Sequence, residues 1–466
     1  MAIHSKQKML DEKKRFKFMT PVRVIAVGFA LIIFIGAFFL CLPIAHNDGR
    51  WFPFMDALFT STSAVCVTGL IVVDTAAHFN LFGQMVILLL IQIGGLGVMT
   101  ATTLLFLMMR KRITLKNRLM LQEALSQDRL QGIVLSIKII LTLTFVVELV
   151  GALVLMGSFI PAYGGYGVWV SIFISISAFC NAGFDILGVV GGSQFGSLTA
   201  FAQNAFVCLP VMALIIVGGI GFMVLIDIGD RLTKKKKHLS AHTKMVLVIT
   251  AVLIAFGWIA YLVAEWNGVL KDMSVGGKIL SALFQSVTPR TAGFETVSQA
   301  ALTPVSYMLT LVLMFIGASP SSTGGGVKTT TLAVLLLTGI RTLQGERDVN
   351  IGKSKINVTL IKRAITIIML AILIIMLNTM LVLIFEGNAH NQSVNVQKAL
   401  FEVTSAFSTV GLTMGITPSL SVGSKIVLCL TMFIGRVGTL TIGFSIAKHK
   451  KINDKIEYTD AKIMIG

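Results

Sequence analysis

The chain is poor in charge. Only 13% of its 466 residues are Asp, Glu, Lys or Arg, against roughly 25% in a soluble globular protein. Acidic residues are scarcest, 21 against 39 Lys and Arg. The five cysteines (Cys41, Cys66, Cys180, Cys208, Cys429) sit in apolar surroundings without C-x-x-C spacing. Buried inert thiols are expected there, with no disulfide framework or zinc site. The seven histidines are scattered, without H-E-x-x-H or other paired-ligand spacing, and are given no role. Two glycine-rich stretches fail as phosphate-binding motifs. In "GGGVKTT" (324–330), Val327 separates Gly326 from Lys328, and "GGLGVMT" (94–100) is not G-x-G-x-x-G. Both lie inside apolar runs without the strand–turn–helix context such motifs need. With no clustered nucleophile, metal or acid/base set, a membrane enzyme is disfavoured.

What is present is apolar. Hydrophobic residues make up 55% of the chain, and mean hydropathy is +0.86. A membrane-spanning helix needs about 20 mostly apolar residues, and several stretches qualify. The N-terminal segment Lys6–Arg23 is too polar and too long for the charged start of a cleavable signal peptide. Net charge is +18, and 32 of the 39 basic residues fall in five clusters: 1–23, 110–138, 231–244, 328–363 and 448–462. Basic clusters between apolar spans mark the cytoplasmic side. Both termini are therefore expected in the cytoplasm, with anionic membrane lipid as a secondary contact. Nucleic acid is not expected as a partner.

The clusters enclose four apolar blocks, 21–109, 131–230, 245–340 and 356–447. Each begins and ends on one side, so each crosses an even number of times. Long first helices are expected over 21–45, 133–160, 245–266 and 364–386, and second helices over 82–109, 203–229, 305–340 and 424–447. The stretches between them align without gaps: "ALFTSTSAVCVTGL" (57–70), "SIFISISAFCNAGF" (171–184), "SALFQSVTPRTAGF" (281–294) and "LFEVTSAFSTVGL" (400–412). Their glycines, Gly69, Gly183, Gly293 and Gly411, are spaced by 114, 110 and 118 residues. The second helices repeat as well, in "QIGGLGV", "IVGGIGF", "FIGASPS" and "FIGRVGT". A fixed period of this kind is an internal repeat.

The middle stretches are too short and polar to span. Irregular backbone at membrane depth is tolerated where it is buried in protein or lines water. Re-entrant half-helices are therefore expected over about 55–65, 169–179, 279–289 and 397–407, each followed by an extended loop to its glycine. Four such loops around a pseudo-fourfold axis would present carbonyls able to replace the hydration shell of a monovalent cation. The half-helix C-termini, the negative ends of the macrodipoles, would face that centre.

With "VTGL", "NAGF", "TPRTAGF" and "TVGLT" at these places, the chain resembles the Trk/Ktr/HKT superfamily of potassium transporters over about residues 20–448. The short N-terminus resembles most the KtrB-type membrane subunit of the Ktr branch. The resemblance implies a potassium-selective filter, since all four family filter positions are glycine here. It places the carbonyl-bearing residues at Cys66, Val67, Thr68 and Gly69; Cys180, Asn181, Ala182 and Gly183; Arg290, Thr291, Ala292 and Gly293; and Ser408, Thr409, Val410 and Gly411. The Arg290 side chain is expected to point away from the axis and hold its loop.

Below the filter, "GASPSSTGGGVKTTT" (317–331) cannot continue a lipid-facing helix. Gly317, Ala318, Ser319, Pro320, Ser321, Ser322, Thr323, Gly324, Gly325, Gly326 and Lys328 are expected to form a gating loop, as the resemblance implies. The plainer alternative is a helix kinked at Pro320. Arg436 lies a dozen residues from Lys448, ~18 Å into the membrane at 1.5 Å per residue. A charge so deep is a functional candidate. It is read as a positive barrier acting with the loop, with a structural pairing to a buried carboxylate as the alternative. Glu148, Glu265 and Glu386 are expected near the outer ends of first helices, in interfacial or inter-repeat pairs.

The expectation is an all-α membrane protein of four direct M1–pore loop–M2 repeats, with eight transmembrane helices and four re-entrant half-helices. It comprises a cytoplasmic segment 1–20, repeats 21–130, 131–242, 243–345 and 346–448, and a cytoplasmic tail 449–466. Its expected function is potassium uptake across the plasma membrane. The alternatives are a sodium-permeable or sodium-coupled cation transporter, or a secondary transporter for another solute. The last usually has inverted repeats, whereas these are parallel. No cofactor is expected in the chain. The resemblance implies a homodimer and a cytoplasmic RCK-type (KtrA-like) regulatory ring that carries the nucleotide.

Overall fold

The computed structural model describes residues 21–97, 133–188, 194–234, 236–346, 348–351 and 354–438. The expected end segments 1–20 and 449–466 lie outside these residues. The first block holds α1 (Pro21–Cys41), α2 (Phe54–Cys66) and α3 (Leu81–Leu96). The second holds α4 (Ile133–Tyr163), α5 (Tyr166–Cys180), α6 (Ala205–Gly219) and α7 (Phe222–Leu232). The third holds α8 (Ala241–Glu265), α9 (Val275–Val287), α10 (Pro304–Phe315) and α11 (Thr329–Leu343). A minimal antiparallel hairpin, Asn350–Ile351 with Ser354–Lys355, leads into α12 (Val358–Asn388), α13 (Val396–Ser408) and α14 (Val422–Val437).

Among the described residues four helices, Arg23–Cys41, Leu135–Tyr163, Ala241–Glu265 and Val358–Asn388, are each long and apolar enough to cross a membrane. Their outward faces are apolar: Phe34 and Phe38 on α1, or Met369, Leu373 and Met380 on α12, are exposed. The polar groups are inside, on the short helices α2, α5, α9 and α13. Without water, those hydroxyls need partners in the protein. Ser61 donates to Ile33 O at 2.7 Å, Ser175 to Glu148 O at 2.6 Å and Ser286 to Ile254 O at 2.7 Å. Each bond ties a short helix to the long helix before it. Three residues beyond each acceptor stands a glycine, Gly36, Gly151 or Gly257, whose missing side chain admits the serine. Among the described residues the fourth block shows no such bond.

The packing runs in a closed circle. Each long helix packs on the short helix that follows it: α1 on α2, α4 on α5, α8 on α9, α12 on α13. The helix after each glycine loop then packs on the next block's short helix: α3 on α5, α6 on α9, α10 on α13 and α14 back on α2. At this last junction Lys425 of α14 pairs with Asp56 of α2 at 2.7 Å.

The second helices differ from expectation, since none of the described ones continues unbroken. α3 ends at Gly97 (φ 82°), α6 at the Ile220–Gly221 break (Gly221 φ 97°) and α14 at Gly438 (φ 97°). A positive φ is foreign to a right-handed helix, and glycine adopts it without steric cost. The expected span 203–229 is therefore two helices meeting at 98°. The continuations 98–109 and 439–447 lie outside the described residues.

Glu265 and Glu386 also depart from expectation. They sit at the C-terminal ends of α8 and α12, and their partners are within their own block rather than between repeats. Glu265 accepts from Thr303 N (2.9 Å) and Thr303 Oγ1 (2.6 Å), and Glu386 from Ser421 N (2.9 Å) and Ser421 Oγ (2.7 Å). Thr303 and Ser421 cap α10 and α14. Each carboxylate thus fixes the start of the second helix to the end of the first. Glu386→Gln is expected to cost about 1.5–3 kcal/mol, the range for a hydrogen bond to a charged group. Thermal unfolding in detergent, compared with wild type, measures it.

Candidate pore and gate

The three helices α2, α5 and α13 end in the same manner. Each is capped by a left-handed residue: Val67 (φ 58°, ψ 53°), Asn181 (59°, 44°) and Thr409 (52°, 53°). The next amide reaches back five residues: Thr68 N to Ser63 O, Ala182 N to Ser177 O and Val410 N to Ser405 O, at 2.7–2.9 Å. That closes the last turn and turns the chain outward. The third loop reaches the same place differently. α9 stops at Val287, short of the expected 289: Thr288 keeps right-handed helical angles (φ −62°, ψ −36°), and Pro289 after it has no amide donor to continue the ladder. Thr291 nonetheless has φ 70°. Left-handed Val and Thr are steric outliers held in place by their surroundings.

Two residues on, each loop reaches its glycine with positive φ: Gly69 90°, Gly183 69°, Gly293 80°, Gly411 95°. A methyl group on Gly69 would lie 2.5 Å from Ala182 O, and on Gly183 2.8 Å from Ala292 O. On Gly293 it would overlap Val410 O, and on Gly411 Thr68 O, more closely still. Each glycine therefore abuts the carbonyl just before the next glycine, and the series closes from Gly411 to Gly69. The sixteen residues expected to bear carbonyls are brought together in this way from four distant stretches. Cys66, Cys180 and Ser408 are the last helical residues before the caps, and Arg290 precedes Thr291. The Arg290 guanidinium is directed to Thr250 Oγ1 of α8 at 3.3 Å, as expected for a side chain that supports the loop.

Ser63 Oγ accepts from Gly69 N at 3.1 Å, and Ser405 Oγ from Gly411 N at 3.0 Å. In the other two loops the hydroxyl donates outward instead, Ser177 to Phe184 O and Thr288 to Phe294 O. Ser63→Ala and Ser405→Ala leave a buried amide unpaired. Each is expected to cost about 1–3 kcal/mol and to lower ion selectivity, measured as the K+/Na+ flux ratio, more than overall abundance.

The segment 317–328 is irregular, as expected, and the kinked-helix alternative is excluded. α10 ends at Phe315, Ile316 bridges Val327, and α11 starts only at Thr329. Between them the chain crosses beneath the ring. Ser319 N donates to Gly219 O (3.0 Å), Thr323 N to Gly218 O (3.3 Å) and Thr323 Oγ1 to Phe179 O (3.2 Å). Further on, Gly325 N donates to Thr409 Oγ1 (3.0 Å). The segment thus spans from the second block to the fourth. Within it Ser322 Oγ bonds Ser319 O, Lys328 Nζ bonds Gly324 O at 2.7 Å, and Ser319 Oγ pairs with Thr329 Oγ1. Ser321 O receives Phe222 N, and Pro320 O lies against Gly221. Gly317 abuts Gly325 O, Ala318 is buried, and Gly326 packs on Ser408.

Arg436 reaches the same space. Its guanidinium donates to Thr323 O in the segment and to Gly94 O and Gly95 O at the end of α3. Its partners are carbonyls; among the described residues it makes no ion pair with a carboxylate. Its hydrogen bonds join the first, third and fourth blocks below the ring.

Some of this site escaped sequence reasoning. Glu148 was expected near an outer helix end. It lies in the middle of α4, buried, beside Gln92 Nε2 (3.2 Å) and Cys180 Sγ (3.8 Å). The left-handed caps were missed because Val, Asn and Thr carry no common signal for that conformation. The helix breaks were legible in principle: Gly95/Gly97 and Gly219/Gly221 share one spacing, and Gly438 holds the equivalent place two residues after Arg436. All five cysteines are free and buried.

Long apolar helices around buried, irregular, glycine-lined loops define an integral membrane protein of the transporter class. The comparison with known proteins gives the family: the TrkH pattern, described as cation transport protein, matches residues 1–455, and the chain belongs to that family. It is 39% identical over 458 residues to the potassium/sodium uptake protein NtpJ of Enterococcus hirae, covering 97% of this chain and 99% of that protein. It is 39% identical over 450 residues to the Ktr system potassium uptake protein B of Bacillus subtilis, covering 96% and 97%. Among solved structures, the potassium transporter TrkH from Vibrio parahaemolyticus matches with a TM-score of 0.74 over 92% of this chain and 85% of that one, at 17% identity. That likeness concerns the fold.

Proposed function

We propose that the chain is the membrane subunit of a potassium uptake system. Potassium crosses at the ring of four glycine loops, stripped of water and held by their carbonyls, and moves inward with the membrane potential. The observation that carries this reading is the closure of the ring: Gly69, Gly183, Gly293 and Gly411 each abut the preceding carbonyl of the next loop. Carbonyls in such a ring substitute for the hydration shell of a monovalent cation. Relatives named for potassium uptake support the same ion.

In this reading the chain forms four direct repeats within 21–130, 131–242, 243–345 and 346–448, eight spans and four re-entrant half-helices. It lies in the plasma membrane with both termini cytoplasmic. The segment 317–328 with Arg436 is the gate. A homodimer and an RCK-type cytoplasmic ring that binds nucleotide complete the system, docked on the basic loops and tail. Relatives named for a Ktr system support a multi-component assembly.

One relative is named for sodium as well as potassium, which keeps sodium permeation as the second reading. Uptake into cells lacking their own potassium systems separates the two. Growth restored at low potassium, with ion uptake little affected by equal sodium, is expected. Equal uptake of both ions would favour the second reading.

A further inference from the structure

The residues two before the ring glycines have a second task that the carbonyl reading leaves unused. The side chains of two of them, Thr291 and Thr409, face the segment below. Gly325 N donates to Thr409 Oγ1 at 3.0 Å, and both atoms are buried. A methyl group on Gly325 would lie 2.5 Å from that same oxygen. Gly324 is pressed in the same way against Thr291 Oγ1. Thr291 Oγ1 is itself held by the Asn181 amide at 3.1 Å, in either orientation of that amide. Thr409 and Thr291 are fully buried. The fourth residue of the set, Val67, has no hydroxyl, and the segment does not reach it; its methyl group instead lies against Gly94 of α3.

We propose that Thr409, supported by Thr291, is the latch that holds the intramembrane segment shut, so that the filter and the gate share residues and are energetically linked. This rests on the reading of 317–328 as the gate and names what keeps it closed. The physical argument is the cost of an orphaned donor. Gly325 N is buried, and its acceptor is a hydroxyl fixed on a left-handed residue of the filter loop. Moving the segment breaks that bond; moving the filter residue weakens it. Any ion that orders the Thr409 carbonyl therefore also orders its side chain. By reciprocity, displacement of the segment must alter ion affinity in the ring by the same factor.

The comparison within the chain supplies the test variant. Val67 and Thr409 have almost the same backbone angles, so Thr409→Val places at the fourth loop what the first loop already accommodates, and removes only the acceptor. The full-length chain, reconstituted in vesicles without any partner, is assayed for K+ flux over a range of K+ concentrations. Thr409→Val is expected to raise flux at saturating K+ by roughly tenfold, the ratio corresponding to one lost buried hydrogen bond, and to shift the K+ concentration for half-maximal flux. Thr409→Ser, which keeps the hydroxyl, is expected to show a smaller rise in flux than Thr409→Val. Gly325→Ala attacks the same contact from the segment side and is expected to reproduce Thr409→Val, which covers the case of a poorly folding filter variant.

A chain shortened within 322–326 separates this proposal from the gate reading beneath it. If shortening raises flux while Thr409→Val and Gly325→Ala match wild type, the gate stands and the latch is refuted. If Thr409→Val multiplies flux equally in the shortened chain, it acts in the filter alone, and the latch is again refuted. If shortening has no effect, the gate reading fails and takes the latch with it. The proposal is upheld when Thr409→Val adds nothing to the shortened chain.

Discussion

Gly411→Ala and Gly293→Ala are expected to abolish potassium uptake, while Gly183→Ala retains part of it. The gradation follows from the ring. At Gly411 and Gly293 an added methyl would overlap a backbone carbonyl, Thr68 O or Val410 O, and the backbone there has φ 95° and 80°. Backbone cannot swing aside as a flexible side chain does. At Gly183 the nearest carbonyl would be 2.8 Å away, so a shift of some tenths of an ångström relieves most of the clash. All three substitutions also carry the strain of a Cβ at positive φ, about 1 kcal/mol or more. Uptake at low external potassium is expected to fall more than about a hundredfold for Gly411 and Gly293, since clash and strain together exceed about 3 kcal/mol. For Gly183 the fall is nearer tenfold. A serine scan that left all four unaffected would show that the ring has no part in transport.

Arg436→Ala is expected to have the opposite sign. The guanidinium is held under the ring by carbonyls of Thr323, Gly94 and Gly95, and no carboxylate among the described residues neutralises it. A unit charge roughly 5 Å from a passing cation, at an effective dielectric constant of about 20, opposes it by roughly 3 kcal/mol. Removing it frees Thr323 O and lowers that barrier. Flux through the chain should rise at least about tenfold. Arg436→Lys keeps the charge but cannot reach two groups of carbonyls with one planar fork, so it should fall between. Unchanged flux in both variants would place the barrier elsewhere.

Much of this was legible in the sequence for a physical reason. The four loops had to carry glycine at one place, hydroxyls before it and a large apolar residue after it, and a fixed period exposes such a pattern. The irregularity of 317–328 was equally visible, since three successive glycines and Pro320 cannot continue a lipid-facing helix. What was hidden depends on distant partners. That α14 returns to α2 is encoded in Lys425 and Asp56, 369 positions apart. Glu265 and Glu386 read as members of interfacial or inter-repeat pairs until Thr303 and Ser421 are placed beside them. The break after Gly219 looked like continuous helix because the residues on both sides are apolar, so hydropathy did not mark it. The left-handed conformations at Val67 and Thr409 are imposed by packing against local propensity.

The most direct test of the account is a map of bound Rb+ by anomalous scattering from crystals of the full-length chain grown in rubidium. The account predicts a peak on the axis enclosed by Gly69, Gly183, Gly293 and Gly411. Rubidium bound only elsewhere, with the space between these glycines empty, would contradict it.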